Sequence, residues 1–283
     1  MTDLGFGTRL TAAFQQYGHL CVGIDPHPFL LNEWGYEDTP RSLSEFSLRI
    51  VDACAGRVGI IKPQVAFYER HGSAGYVALE KLMDRARQAG LLVIADAKRG
   101  DIGSTMQAYA QSWLSAGVPL EADALTVSPY LGSGALAETV DIALANNKGL
   151  FVLAATSNPE AAELQTARVE AGSQAGHSVA SAMLSEVARW STEREPAMSV
   201  GAVLGATLDL PALGINPDAF PPVPVLAPGF GFQGARVEDA RSKFGGLAQN
   251  IIVSETRSVL AAGREGIVDA VARRADEVAN ALS

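Results

Sequence analysis

Cysteine is nearly absent from this chain: Cys21 and Cys54 are the only two in 283 residues. One falls in an apolar, strand-like run and the other in a helical pattern, a spacing that suits no metal site and reads as two small core residues. Positive charge is scarce as well. There are 22 Lys and Arg against 31 Asp and Glu, a net charge of −9, and no basic block interleaved with aromatics. This argues against a nucleic-acid partner, since clustered cations drive phosphate-backbone binding. An anionic ligand would have to be held by local cations and backbone N–H groups against an unfavourable overall field. The histidines, His19, His27, His71 and His177, are scattered, and no pair has metal-ligand spacing. No apolar run approaches the roughly 20 residues of a membrane span. The opening stretch MTDLGFGTRLTAAFQQYGHL lacks the basic segment and unbroken apolar core of a signal peptide. The expectation is a cytoplasmic protein with neither membrane nor nucleic acid as partner.

What is abundant is hydrophobic residues, 48% of the chain, enough for a substantial core. They gather in short β-branched runs bounded by Gly, Pro, Ser or Asp: HLCVGID (19–25), RVGIIKP (57–63), GLLVIADAK (90–98), DALTVSP (123–129), GLFVLAAT (149–156), SVGAVLGAT (199–207), VPVLAPGF (223–230) and QNIIVSET (249–256). Such runs read as strands buried on both faces of a parallel sheet. Helical spacing separates them. LSEFSLRIVDACA places Leu43, Phe46, Ile50, Val51 and Cys54 on one face; GYVALEKLMDRARQAG offers Val77, Leu79, Leu82 and Met83; GREGIVDAVARRADEVANAL closes the chain. Eight strands alternating with helices predict an α/β fold, a (β/α)8 TIM barrel. A doubly wound open sheet is the alternative, but no G-x-G-x-x-G follows the first strand. One domain over 1–283 is expected, with extended loops at 27–41, 157–198 and 208–224.

In such a barrel the reactive groups sit at the C-terminal ends of the strands. Here those ends carry Asp25, Lys62, Asp96 with Lys98, Thr156 with Ser157, and Arg257 just after the last strand. Alternation along a strand sends Asp96 and Lys98 to one face and the small Ala97 to the other. Each has an ordinary explanation alone. Asp25 before Pro26 fits an ordinary turn, Lys62 before Pro63 fits a strand-end lysine reaching solvent, and Asp101 fits a helix cap accepting from the Ser104 N–H. RGD at 99–101 fits coincidence, and Phe67 and Tyr130 fit packing. Together, Lys62, Asp96, Lys98 and Asp101 form an alternating charge array in which each member holds its neighbours ionised. That array suits acid–base chemistry at carbon without a metal. A second cluster, LAPGFGFQGARVED (226–239) with SETRS (254–258), falls after strands seven and eight, the usual phosphate seat of these barrels. Gly229, Gly231 and Gly234 permit close backbone approach or a mobile lid. Arg257 offers the fork that matches a phosphate.

The stretch VIADAKRGDIGSTM (93–106) resembles throughout the D-x-K-x-x-D-[IV]-x-x-T signature of the orotidine 5′-phosphate decarboxylases. VGIDP, IIKPQVAFYER, TSNP, APGFGFQGA and SETRS follow in that family's order, most like its longer bacterial branch, so the likeness runs over nearly the whole chain. The resemblance implies decarboxylation of orotidine 5′-monophosphate to UMP in pyrimidine biosynthesis, without cofactor or metal. Carried over by position, Asp25 and Lys62 would hold the ribose, Asp96 would face the substrate carboxylate and Lys98 would be the proton donor. Ser157 would contact the pyrimidine, Gln233 would bridge base and phosphate from the lid, and Arg257 would bind the phosphate. Ile102 and Pro228 would be further substrate contacts. Asp101 and Thr105 would reach the neighbouring subunit's site in a homodimer. The three extended loops depart from the compact members. Two rivals stand beside this reading. A metal-dependent sugar-phosphate decarboxylase or aldolase would look for an acidic ligand at the end of strand two, where Lys62 stands. A nucleotide-phosphate binder without chemistry would not need the Asp96–Lys98–Asp101 set.

Overall fold

The eight apolar runs become eight short strands, each inside or within one residue of its expected stretch. They are β1 (Leu20–Ile24), β2 (Ile60–Pro63), β3 (Leu92–Arg99), β4 (Ala124–Val127), β5 (Gly149–Ala155), β6 (Val200–Leu204), β7 (Val225–Pro228) and β8 (Ile251–Glu255). All neighbours pair in parallel in chain order, and β1 pairs with β8 through Cys21 and Ser254, closing the barrel. The computed structural model describes residues 4–282; Met1–Asp3 and Ser283, the outermost ends of the expected 1–283 domain, lie outside the described residues.

The helices are α1 (Phe6–Tyr17), α2 (Pro28–Glu33), α3 (Pro40–Cys54), α4 (Ala66–Glu69), α5 (Gly72–Gln88), α6 (Gly103–Leu114), α7 (Ala137–Ala145), α8 (Ala162–Gln165), α9 (Val179–Glu193), α10 (Ala240–Phe244), α11 (Arg257–Leu260) and α12 (Gly263–Leu282). Local chemistry fixes several starts. Thr39 caps α3 by accepting from the Ser42 N–H, with Pro40 in the first turn. Ser178 caps α9 through the Ser181 N–H. The expected apolar face of α3 is buried in full. On α5 the buried face runs through Ala78, Leu79, Leu82, Met83 and Ala86, whereas Val77 is exposed. Val77 stands two residues, about 200° of helical turn, from Leu79, and so falls on the solvent side.

The core has two layers. Between strands and helices lies one continuous apolar shell that includes Cys54. Inside the barrel, Cys21, Ile60, Ile94, Phe151, Leu226 and Ile252 form a second core. Phe6, Leu10 and Ala13 of α1 join it, so α1 plugs the barrel's floor. The Phe6 ring meets Phe151 edge-on at 6.0 Å, and Arg9 pairs with Asp123, which also accepts the Val93 N–H at 2.9 Å. The sequence reading passed over this helix. Both cysteines are free and buried, and burial pushes the Cys21 thiol up to about 12. No described helix is long and apolar enough to cross a membrane. With α1 packed into the barrel's floor, the pocket opens at the opposite, C-terminal rim.

Candidate active site

At that rim the strand ends enclose a pocket of about 290 Å3. Asp25, Lys62, Asp96, Lys98, Ser157, Pro228, Gln233 and Arg257 all line it, each on the strand end or loop expected. On its floor, Lys62 Nζ donates to Asp96 Oδ2 at 2.9 Å, and Lys98 Nζ donates to Asp96 Oδ1 at 2.6 Å. A carboxylate thus sits between two ammonium groups. Burial works against charge on Lys62, but Asp96 and then Asp25 outweigh it, and the lysine's pKa is raised above its ordinary value. Burial likewise pushes the Asp96 carboxyl up, yet Lys62 and Lys98 overcome this and hold it well below the usual carboxylate range. Lys62 and Asp96 are nearly inaccessible, while the Lys98 side chain keeps 44% of its surface open toward the pocket. Lys98 is the member of the trio that a ligand can reach.

The alternation argument placed Asp96 and Lys98 correctly, although the backbone is not a regular strand there. Ala95 pairs with Leu125 and Arg99 with Val127, so β3 bulges between them. Lys98 takes a left-handed conformation at φ 49°. Two residues that sequence reasoning did not single out hold this segment. Thr126 donates to Asp96 Oδ1 and accepts the Lys98 N–H, and Gln64 accepts from Lys98 Nζ at 3.3 Å. Neither Thr126, an ordinary threonine inside the strand-four run, nor Gln64, just beyond β2, carried a signal of this role in the sequence.

Asp101 does not join its own chain's array. It accepts from the N–H of Ile102 at 2.8 Å and is absent from the pocket lining. The cap to Ser104 is not formed either, because the helix begins at Gly103 with Ile102 in the capping position. Ile102 and Thr105 are exposed and lie outside the pocket. Tyr130, expected to pack, is 76% exposed, whereas Phe67 packs against the core and on His27.

The opposite wall is built for an anion. The Arg257 guanidinium, at the start of α11, makes no ion pair or hydrogen bond among the described residues and lies 3.8 Å from the centre of the Phe232 ring. An unpaired cation stacked on an aromatic face is held in place while its N–H groups stay free. The loop after β7 runs close by. Gly231 has φ 67°, and a Cβ there would meet Ser258 Oγ at 2.8 Å and Glu255 Oε2 at 2.9 Å. Glycine is required for that approach. Beneath it the buried Glu255 is paired with Arg274 and accepts from Ser258. Across the pocket Ser157 Oγ approaches Gln233 Oε1 at 3.4 Å, so the loops after β5 and β7 meet over the cavity. The extended segment after β5 braces this arrangement: Gln165 accepts the Thr156 N–H at 3.0 Å and donates to Thr156 Oγ1 at 2.9 Å. Asp25 Oδ2 accepts from Thr256, while its Oδ1 is buried with no partner among the described residues. His27 also lines the pocket, and burial lowers its pKa below the ordinary histidine value.

Comparison with known proteins finds similar sequences and similar folds. The family model for orotidine 5′-phosphate decarboxylase / HUMPS matches residues 18–273. An orotidine 5′-phosphate decarboxylase of Streptomyces coelicolor is 50% identical over 277 residues, 97% of this chain and 95% of that protein. One from Nocardioides sp. is 47% identical over 274 residues, covering 96% and 98%. A crystal structure from Streptomyces avermitilis superposes with a TM-score of 0.90 at 46% identity, spanning 100% of this chain and 97% of that one. The Leishmania donovani OMP decarboxylase superposes at 0.79 with 26% identity, spanning 99% of both.

Proposed function

The chain belongs to the orotidine 5′-phosphate decarboxylase / HUMPS family, and from that premise we propose that its rim pocket carries the decarboxylation through the lysine-flanked carboxylate. The enzyme is a carboxy-lyase that converts orotidine 5′-monophosphate to UMP and CO2 in pyrimidine biosynthesis. The single observation that carries the mechanistic reading is Lys98 Nζ, reachable by a ligand and 2.6 Å from an ionised, buried Asp96.

Cleavage of the C6–carboxylate bond leaves an electron pair in the plane of the ring, where the π-system cannot spread it. Fixed positive charge at that point stabilises the developing carbanion. The Lys98 ammonium sits there, then transfers its proton to C6, and water restores it. CO2 departs with no net redox change. Asp96 occupies the side from which the substrate carboxylate must leave, and Lys62 keeps Asp96 ionised. Asp25, which lines the pocket, suits a ribose hydroxyl as donor. Arg257, with the glycine-rich loop, suits the phosphate. Ser157 and Gln233 suit the base, and Pro228 suits the wall beside it. Binding energy from the distant phosphate then holds the ring over the lysine.

Asp101, Ile102 and Thr105 complete the assignment only across a subunit boundary. Ile102, Tyr130 and Leu131 are 60%, 76% and 54% exposed at the ends of β3 and β4. Apolar exposure of that kind on the site's own rim suits a homodimer interface. The decisive experiment follows absorbance as orotidine 5′-monophosphate is consumed, in the presence and absence of EDTA. The native chain should turn over at equal rates in both, and Lys98→Ala should be silent while still folded and binding UMP. Near-normal turnover in Lys98→Ala, or loss of activity in EDTA, would overturn the reading.

A further inference from the structure

Thr126 lies 1% exposed at the end of β4, under the floor of the pocket. Its position answers a specific deficit in the neighbouring strand. Between the pairs Ala95↔Leu125 and Arg99↔Val127, β3 spends three residues where β4 spends one. A backbone with surplus residues loses its ladder partners, and buried N–H groups must find acceptors elsewhere. The Lys98 N–H finds the Thr126 hydroxyl oxygen at 2.9 Å. Lys98 itself sits at φ 49°, a conformation unfavourable for any residue with a Cβ. The side chain of Thr126 therefore replaces a backbone acceptor at a strained residue of the site.

The same hydroxyl faces Asp96 Oδ1 at 3.0 Å, with Ala95 O more distant at 3.5 Å. The Lys98 N–H occupies a lone pair of the oxygen, which leaves the hydroxyl proton turned toward the carboxylate. Asp96 Oδ1 thus receives Thr126 and Lys98 Nζ, while Oδ2 receives Lys62. One hydroxyl ties the backbone of the lysine to the carboxylate that its own ammonium contacts.

We infer that Thr126 is a positioning residue for the reaction: its hydroxyl fixes the bulge so that Lys98 Nζ and Asp96 stand in their reactive arrangement. The inference rests on the reading of Lys98 as proton donor given above. Thr126→Val keeps the shape and removes the hydroxyl; Thr126→Ser keeps the hydroxyl. Displacing a reacting group by about 1 Å costs on the order of 100-fold in rate, so kcat of Thr126→Val should fall roughly 10- to 100-fold. KM and the Kd for UMP should stay near the native values, because Arg257, Gln233 and Asp25 are untouched. Thr126→Ser should recover most of the rate. A crystal structure of Thr126→Val should show Lys98 leaving positive φ. Should Thr126→Val fold poorly, Thr126→Ala against Thr126→Ser makes the same comparison. Native kcat in the valine variant, equal impairment of serine and valine, or an unchanged Lys98 backbone would each overturn the inference and leave the decarboxylase reading standing. A native chain inert toward orotidine 5′-monophosphate would overturn that reading, and the inference with it.

Discussion

The Lys62–Asp96 pair offers the sharpest quantitative test of how this pocket is held together. Both side chains are buried and stand 2.9 Å apart. Removing one partner of such a pair strands the other charge, typically at about 3–5 kcal/mol. Lys62→Met preserves the aliphatic volume and removes only the ammonium. Asp96 then keeps Lys98 and Thr126 as donors, so the cost belongs at the low end, about 3 kcal/mol. For a domain of 283 residues, at about 2.1 cal/mol/K of unfolding entropy per residue, that corresponds to roughly a 5 °C drop in Tm.

Asp96→Asn in the Lys62→Met background removes the stranded charge, and Lys98 is accessible enough for water to solvate it. The double variant should therefore be more stable than the sum of the singles, with a coupling of about 2 kcal/mol. Thermal and urea unfolding of all four proteins, with UMP absent, measures the cycle. The acid limb gives an independent check. Asp96 lies below its ordinary 3.8 in the folded chain, so its contribution is present above that value and lost as pH falls through the folded pKa. Lys62 lies above its ordinary 10.5, so its contribution is present below that value and lost as pH rises through the folded pKa. In Lys62→Met the acid unfolding transition should begin at higher pH. A coupling within about 0.3–0.5 kcal/mol of zero, the range of simple additivity, together with an unmoved acid limb, would refute the argument.

The other predictions address the rim. Arg257→Ala removes the unpaired cation and should raise KM for orotidine 5′-monophosphate far more than it lowers the stability of the fold; an unchanged KM would show that the phosphate sits elsewhere. Gln165→Leu deletes both hydrogen bonds to Thr156 and should weaken UMP binding by a few fold, about 1 kcal/mol for two neutral bonds on a partly open loop, measured by calorimetry. Native affinity in that variant would mean that the extended segment is irrelevant to the base pocket. Mixing Lys98→Ala with Asp101→Ala after joint unfolding and refolding should restore activity to about a quarter of the sites, since random pairing of a two-fold dimer leaves one intact site in each mixed pair. A mixture as silent as its parents would place Asp101 outside any shared site.

Much of this was legible in the sequence because the barrel writes itself in a strong code. Strands buried on both faces must be apolar throughout, and a polar residue at the end of such a run has few reasons to be there. Asp25, Lys62, Asp96 and Arg257 all carry that signature, and all reach the pocket. The signal fails where an element's function is packing rather than periodicity. In α1, Phe6, Leu10 and Ala13 are only a narrow stripe, too sparse to announce that the helix closes the barrel from below. It fails again for Thr126 and Gln165, whose roles are hydrogen bonds to neighbours distant in sequence. A threonine in a strand is ordinary until the opposite strand is known to bulge.

The difference between the expected four-charge array and the observed trio has a definite cause. Only Arg99 and Gly100 separate Lys98 from Asp101. The Ser128 N–H donates to Arg99 O at 2.7 Å, pinning the exit of β3 to that of β4. Gly100 passes so close that a Cβ would lie 2.6 Å from Ser128 O. The chain is thereby turned outward before it reaches Asp101, and α6 then leads away from the barrel mouth. Asp101 is left with its own Ile102 N–H as partner, beside the exposed Ile102, Tyr130 and Leu131. A carboxylate and exposed apolar side chains on the same rim are what the proposed homodimer interface would cover. Spacing along the chain could group the four charges; only the backbone at Gly100, packed against Ser128, keeps the fourth out of its own chain's pocket. The subunit-mixing experiment asks whether that carboxylate serves a partner's pocket instead.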